Sequence, residues 1–410
     1  MMPARVQRTI IIMWIGSFLT SASFSLVFPF LPLYFQQMGM VVGIAEWTGI
    51  AFSASYLAQA FVSPIWGAVA DRIGQKPMMI RSGLAIMLVF AGMAVATSPL
   101  QIVLLRLMNG ALSGFIPASS ALLVRITPRE RLGRAMGFLQ SGPAAGNIMG
   151  PLLGGFMVQV IGIRPTLWVG VGVMAVATAL SIWGVHEPPI EESVRHQRLH
   201  PLRDIRAALA HPALRDIFLV TIIIQVANTA IEPLITLYVA GFRGLSAVPF
   251  WSGLLYSLVG MAAVVASPRW GREAETRGPG RMLRIGVVLA GVGNILQVFM
   301  TTPITFGLTR LLLIVAGFAA VTPSLNLIVA RHSAREFQGR AFGTYNSINQ
   351  VGGMLGPLIG GFWGGAYGIR SNFVFTGVLF LVTAWLVKST VLRDGNVDVA
   401  LAGATPAAGA

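Results

Sequence analysis

Residues 146–155 read GNIMGPLLGG, and 206 positions later residues 352–361 read GGMLGPLIGG. Both copies sit inside long apolar stretches and hold the same place among their neighbours. A segment that recurs once, half the chain length away, means that one bundle of helices has been built twice. Whatever fold this chain adopts must therefore be two-fold in plan.

The duplication runs well beyond that segment. At an offset of 204, Pro29 pairs with Pro233, Leu33 and Tyr34 with Leu237 and Tyr238, and Arg106 with Arg310. The run SPIWG at 63–67 pairs with SPRWG at 267–271. By Pro117 and Pro323 the offset has become 206, so two residues entered between these points. The new offset aligns Arg125 with Arg331, Arg129-Glu130 with Arg335-Glu336, GRA at 133–135 with GRA at 339–341, and GIR at 162–164 with GIR at 368–370.

Composition says where such a bundle lives. Of 410 residues 55% are hydrophobic and only 10% charged, against about 25% charged in a soluble domain. Apolar segments run over roughly 9–36, 47–70, 78–97, 99–124, 134–160, 165–186, 215–240, 248–270, 282–300, 303–330, 340–366 and 371–393. Each is long enough to cross a hydrocarbon layer of ~30 Å. The reading is an all-α polytopic membrane protein of twelve transmembrane helices in two six-helix pseudo-symmetric bundles. The alternating ~10-residue strands of a membrane barrel are absent. The expected divisions are an N-terminal bundle over 1–186, a cytoplasmic linker over 187–214, a C-terminal bundle over 215–393 and a disordered tail over 394–410, whose few large apolar residues give it nothing to pack. Each half has an even number of spans, so the halves are parallel repeats about an axis along the membrane normal. That plan commonly moves a solute through the gap between the bundles.

The net charge of +15 does not announce a nucleic acid. In a twelve-span topology with both termini cytoplasmic, 24 of the 29 Lys and Arg fall on the cytoplasmic side, which is the positive-inside pattern of orientation. The apolar run after Arg5 and Arg8 is too long for a leader and reads as the first retained span. With no cysteine there is no disulfide or thiolate ligand. Of the five histidines, four fall between Gly184 and Pro212, where a solvated connector explains them and no metal site is expected. No phosphate-binding loop or Ser-His-Asp set is evident. Neither ATP drive, nor a cofactor, nor enzymatic chemistry is expected.

The loop after the second span reads Gly67-Ala-Val-Ala-Asp71-Arg72-Ile-Gly74-Gln75-Lys76. With it, the chain resembles the major facilitator superfamily, and within it the twelve-helix drug:proton antiporters of the MdtG-type multidrug exporter group, over nearly all residues from about 8 to 392. The signature of that superfamily is GxxxDRxGRK, with Gln75 here in place of an arginine. The resemblance implies a gate formed by Gly67, Asp71, Arg72, Gly74 and Lys76. Physically, a carboxylate there can accept from the N–H groups of a facing helix end and pair with an arginine. The alternative is a plain topology anchor. The segment Gly146, Gly150, Pro151, Gly154 and Gly155, with its copy Gly352, Gly356, Pro357, Gly360 and Gly361, resembles an exporter signature. Its glycines permit close helix approach and its prolines a bend. It reads either as a seam at the domain interface or as ordinary small-residue packing.

Three charged residues lie well inside the apolar segments. Arg106 and Arg310 are repeat mates on the fourth and tenth spans, and Glu232 sits in the seventh. An intramembrane arginine costs at least ~2.5 kcal/mol unless it faces a cavity or a partner. The resemblance implies a part for Arg106 in proton coupling. For Arg106 and Arg310 a structural ion pair or snorkelling is the competing reading. A carboxylate that alternates between protonated and Arg-paired states is the chemistry of a proton antiporter, so Glu232 is the candidate protonation site, against a static ion pair. The fold implied by the resemblance lines its cavity with the first, fourth, seventh and tenth spans. Phe24, Phe28 and Tyr34 would there suit bulky apolar cargo, with Asn109, Gln225, Asn228 and Asn326 as polar lining.

The expected function is proton-driven efflux of small amphipathic or lipophilic molecules by alternating access, carried out by a monomer in the inner cell membrane, with protons and the lipid bilayer as its other partners. A proton-coupled importer or lipid translocase of the same fold, and a non-transporting receptor or scaffold, are the alternatives. The three intramembrane charges argue against a scaffold, which has no need of them.

Overall fold

The computed structural model describes residues 4–188, 212–242, 245–313, 317, 319–333 and 338–389. Most of the 187–214 linker and all of the 394–410 tail lie outside them. Among the described residues all regular structure is helical, and the helices follow one another as twelve rods, one for each apolar segment. Eight of these rods are long and apolar enough to cross a membrane by length and composition.

Eight rods are single helices. They are the second (Ile44–Ile73), third (Gln75–Val95), fifth (Arg129–Ile161), sixth (Ile163–Gly184), eighth (Val248–Arg277), ninth (Pro279–Gln297), eleventh (Gln338–Tyr367) and twelfth (Ile369–Ser389). Of the other four, the first, fourth and seventh are broken, and the tenth is described in two stretches. The first runs Ala4–Val27, takes one 3-10 turn over Phe28–Phe30 and resumes as Leu31–Gln37. The seventh repeats this as Pro212–Ile231, Glu232–Leu234 and Ile235–Ala240. The cause is shared: Pro29 and Pro233 have no N–H to donate and their rings crowd the preceding turn. The fourth breaks at Ser113–Gly114, between Pro99–Leu112 and Phe115–Ile126. The tenth comprises Pro303–Leu313 and Ala319–Arg331. Broken rods put unpaired backbone and polar side chains mid-membrane, where only a cavity tolerates them.

The tightest reversals rest on glycine. Gly74, Gly162, Gly278 and Gly368 link spans two to three, five to six, eight to nine and eleven to twelve, with φ of +102°, +86°, +90° and +85°. A side chain is strained in that left-handed region, so each turn needs its glycine.

Buried apolar side chains form four clusters. Two are built entirely from residues up to Val185 and two entirely from Leu214 onward. The two halves thus have separate cores. They meet along two equivalent seams, the second span against the eleventh and the fifth against the eighth. With twelve alternating rods, the first begins and the last ends at one face, here the termini face. The opposite side is the far face.

Candidate functional site

Between the halves lies a cavity of about 510 Å³. The broken first, fourth and seventh spans and the second, third, fifth and eighth spans all contribute to its wall. Phe24, Phe28, Phe52 and Ile86 give it an apolar shelf, and Gln59, Asn109 and Asn147 supply amides. Arg106 stands on the shelf, only 4% exposed. Its guanidinium carbon lies 3.8 Å from the ring centre of Phe28 and 5.2 Å from that of Phe52. Its Nε donates to the Ala51 carbonyl at 3.2 Å. This is a cation held by ring faces and a backbone dipole.

Glu232 enters the same cavity from the 3-10 turn of the seventh span, together with Tyr256 of the eighth. The Tyr256 hydroxyl donates to the Glu232 carbonyl. Glu232 and Tyr256 also form part of a second, smaller cavity of about 220 Å³ inside the C-terminal half. Asn228, Asn294, Gln297 and Arg310 line that side cavity. Arg310 Nη1 donates to Gln297 Oε1 at 3.3 Å. Among the described residues, neither Arg106 nor Arg310 comes within the 4.0 Å of an ion pair to Glu232. The carboxylate stands in the wall between two arginine-containing cavities without being locked to either.

The far face is sealed by the glycine segments. Gly146, Gly150 and Gly154 lie against the backbone of the first span at Phe18, Ala22 and Leu26, and Gly155 against Pro249 and Gly253 of the eighth. The copy does the same work. Gly352, Gly356 and Gly360 face the seventh span at Gln225, Val226 and Ala230, and Gly361 faces Ala45 and Gly49 of the second. Each segment therefore packs its own bundle with three glycines and crosses to the other half with the fourth. Close by, Ser53 Oγ donates to the Met354 carbonyl at 2.6 Å, and its mate Ser257 donates to that of Ile148. Thr236 Oγ1 donates to the Pro29 carbonyl at 2.5 Å. Toward the termini face the contacts lapse: Gly67, Gly133, Gly137 and Gly343 have no described neighbour within 4 Å of a Cβ placed on them. Among the described residues, these close contacts between the halves gather toward the far face.

A model of the Major Facilitator Superfamily matches residues 13–321 and 252–406. The chain belongs to that superfamily. Within it, this facilitator groups with proteins described as multidrug resistance protein MdtG. It is 36% identical to the one from Salmonella dublin over 386 residues, 93% of this chain and 95% of the relative. It is 35% identical to the one from Enterobacter lignolyticus over 397 residues, 96% and 94% of the two chains. Solved structures share the fold: nucleoside transporter NupG at a TM-score of 0.80 and 14% identity, covering 93% of this chain and 99% of that one, and a bacterial homologue of human Spinster at 0.80 and 13%, covering 96% and 99%. It is a multi-pass membrane protein of a transporter family.

Not every expected residue of this facilitator reaches the cavities. Phe24, Phe28, Asn109, Arg106 and Glu232 line the central one, and Asn228 and Arg310 the side one. Tyr34 does not: it is 1% exposed and its hydroxyl donates to the Met93 carbonyl at 2.6 Å. Its mate Tyr238 bonds the Gln297 carbonyl at 2.9 Å, so the pair ties a broken span to the span two further on in each half. Gln225 is spent against Gly352 inside the C-terminal bundle. Asn326 is exposed and lines neither cavity. These three had the right polarity on the right spans but the wrong helix face.

The gate motif also differs from expectation. Gly67 makes no close helix contact, Asp71 has no hydrogen bond or ion pair among the described residues, and Arg72 is exposed. The acid that accepts from a helix end is Glu187, which receives the N–H groups of Gln75 and Lys76, both at 2.8 Å, at the start of the third span. Arg125 pairs with it at 2.6 Å. Gly74 makes room, since a Cβ there would meet the Glu187 carboxylate. One residue thus ties together the termini-face ends of spans three, four and six, a charge-assisted cap at a helix N-terminus. Sequence reasoning placed Glu187 in the linker. Tyr56, Tyr256, Gln59, Asn294 and Gln297 were also passed over, being polar residues common on membrane helices.

Proposed function

We propose that this protein drives amphipathic or lipophilic drugs out of the cell in exchange for entering protons, by alternating access. The observation that carries the reading is Glu232, a carboxylate in the wall of the central cavity that faces two arginines and is paired with neither. A group so placed can take a proton when the cargo leaves and give it up when the arginines or the cargo claim its charge. The aromatic shelf of Phe24, Phe28 and Phe52 suits flat, apolar cargo of varied shape, and the relatives it resembles are described as multidrug resistance proteins.

The termini face is the cytoplasm in this reading, because the basic residues gather there, and the membrane is the inner cell membrane. The six-span units end near 186 and begin again near 215. A single chain is the transport unit, since one chain supplies the whole cavity wall. Rocking one unit on the other would part the two glycine seams and close the side where Gly67, Gly137 and Gly343 have no described neighbour.

Dye extrusion from proteoliposomes under an imposed pH gradient tests this. Extrusion against a dye gradient is expected with wild-type protein, and Glu232→Gln should stop it while leaving dye exchange at equal pH. Dye uptake instead of extrusion, or no response to any gradient, overturns the reading.

A further inference from the structure

The two halves carry the same scaffold with opposite chemistry around their mid-membrane arginines. At the offset of 204, Phe24 corresponds to Asn228, Phe28 to Glu232, Phe52 to Tyr256, Phe90 to Asn294 and Met93 to Gln297. In the N-terminal half these positions form a packed ring cluster, with Phe28 5.4 Å from Phe24, 6.4 Å from Phe52 and 6.3 Å from Phe90. The fold is therefore content with apolar residues at all five. In the C-terminal half every one is polar, and the space they enclose is the 220 Å³ side cavity. Burying polar groups is costly unless they are bonded, so this substitution has a purpose the scaffold does not supply.

The cavity suits water. At ~30 Å³ each it has room for about seven molecules, and it offers the two to four polar partners each one needs. Gln297 is fully buried, and its Nε2 has no protein partner. It is too small for the drug-sized cargo that the 510 Å³ central cavity admits. Glu232, Tyr256, Val259 and Gly260 are the wall common to both spaces. The charged or titratable groups facing Glu232 are Arg106 from the fourth span, Arg310 from the tenth, Tyr56 from the second and Tyr256 from the eighth.

We propose that the side cavity is a hydrated antechamber, separate from the drug cavity, through which Glu232 exchanges its proton. A water held between Asn294 and Gln297 passes a proton to a Glu232 carboxylate oxygen as it accepts another from the next water of the chamber, so each O–H bond broken is matched by one formed and no hydroxide remains, and the relay runs backward on release. Arg310, tethered by Gln297, supplies the positive charge that draws the carboxylate back to its ionised form. Protonation then proceeds while the drug cavity is occupied, and cargo and proton need not share one entrance. This rests on Glu232 being the protonation site.

The test fills the chamber with the residue its mate already carries. In proteoliposomes, Asn294→Phe is expected to slow pH-gradient-driven dye extrusion by about tenfold or more, while dye affinity by tryptophan quenching and dye exchange at equal pH stay within about twofold, which also shows that the variant is folded. Asn294→Ala, which leaves room for water, should keep at least about a third of the wild-type rate. Wild-type extrusion in Asn294→Phe, or an equal loss in both variants, overturns the antechamber. If Glu232→Gln abolishes coupling and Asn294→Phe does not, the antechamber fails and the protonation site stands. If Glu232→Gln retains coupling, the protonation site itself fails.

Discussion

Arg106 and Arg310 occupy equivalent points of a duplicated fold and keep different company. Arg106 lies on the rings of Phe28 and Phe52, whereas Arg310 bonds Gln297 and shares its cavity with Glu232 and Tyr256. The glycine seams of the same two halves, by contrast, have stayed alike down to the carbonyls they press on. The difference teaches where duplication leaves freedom. A seam carries the contact between the two halves, so both copies are held to one geometry. A cavity wall inside one half answers only to its contents, so one copy can become an aromatic shelf and the other a polar chamber.

The largest effects should separate the two walls. Removing the carboxylate with Glu232→Gln is expected to lower gradient-driven extrusion by about a hundredfold, the scale on which a positioned proton-transfer group matters. Trimming its mate with Phe28→Leu should instead weaken aromatic dye binding about tenfold, through lost stacking and cation–π contact, with coupling intact. Dye titrations and pH-jump transport read the two separately, and equal losses of coupling in both variants would erase the distinction.

Next come the seams, where the halves should behave alike. Gly155→Leu and Gly361→Leu each force a side chain against the backbone of the other half. Overpacking of that kind costs about 1–3 kcal/mol, enough to shift the balance away from the state closed at the far face. The chain has no cysteine, so a single reporter placed at Asn147 in the central cavity can be labelled cleanly. Its labelling from the termini face should fall by a similar factor in both variants. A large effect from one and none from the other would mean that the seams, too, have diverged.

The smallest effect should come from the cap at the start of the third span. Glu187→Gln keeps the shape and removes the charge that serves two N–H groups and Arg125. The expected cost is about 1 kcal/mol, read as a drop in Tm of roughly 2 °C. Mutating Asp71 to Asn in this conformation should change Tm less.

Much of the fold was legible because duplication and hydropathy are written along the chain. The offset that aligns Pro29 with Pro233 pairs the two 3-10 turns, but Pro151 and Pro357 ride inside unbroken helices, so the prolines alone did not announce where spans would break. Arg106, Arg310 and Glu232 stood out because charge is expensive in an apolar run. Tyr34, Gln225 and Asn326 misled for a single reason: their spans are cavity spans, but which face of a helix meets the cavity depends on its rotation against its neighbours, and an almost uniformly apolar helix gives no periodicity from which to read it. Glu187 and Asp71 exchanged expected places because the choice of acid for a helix end depends on which loop folds back over it.

The sequence by itself determined that there would be two alike bundles of membrane-crossing helices and which three charges would stand out within them. Only the tertiary structure decided that one arginine rests on aromatic rings while its twin joins a polar pocket, with Glu232 in the wall between. The reason is physical. Repeats and hydrophobic lengths are properties of consecutive residues, whereas a cavity is made by side chains from seven spans whose meeting is set by packing.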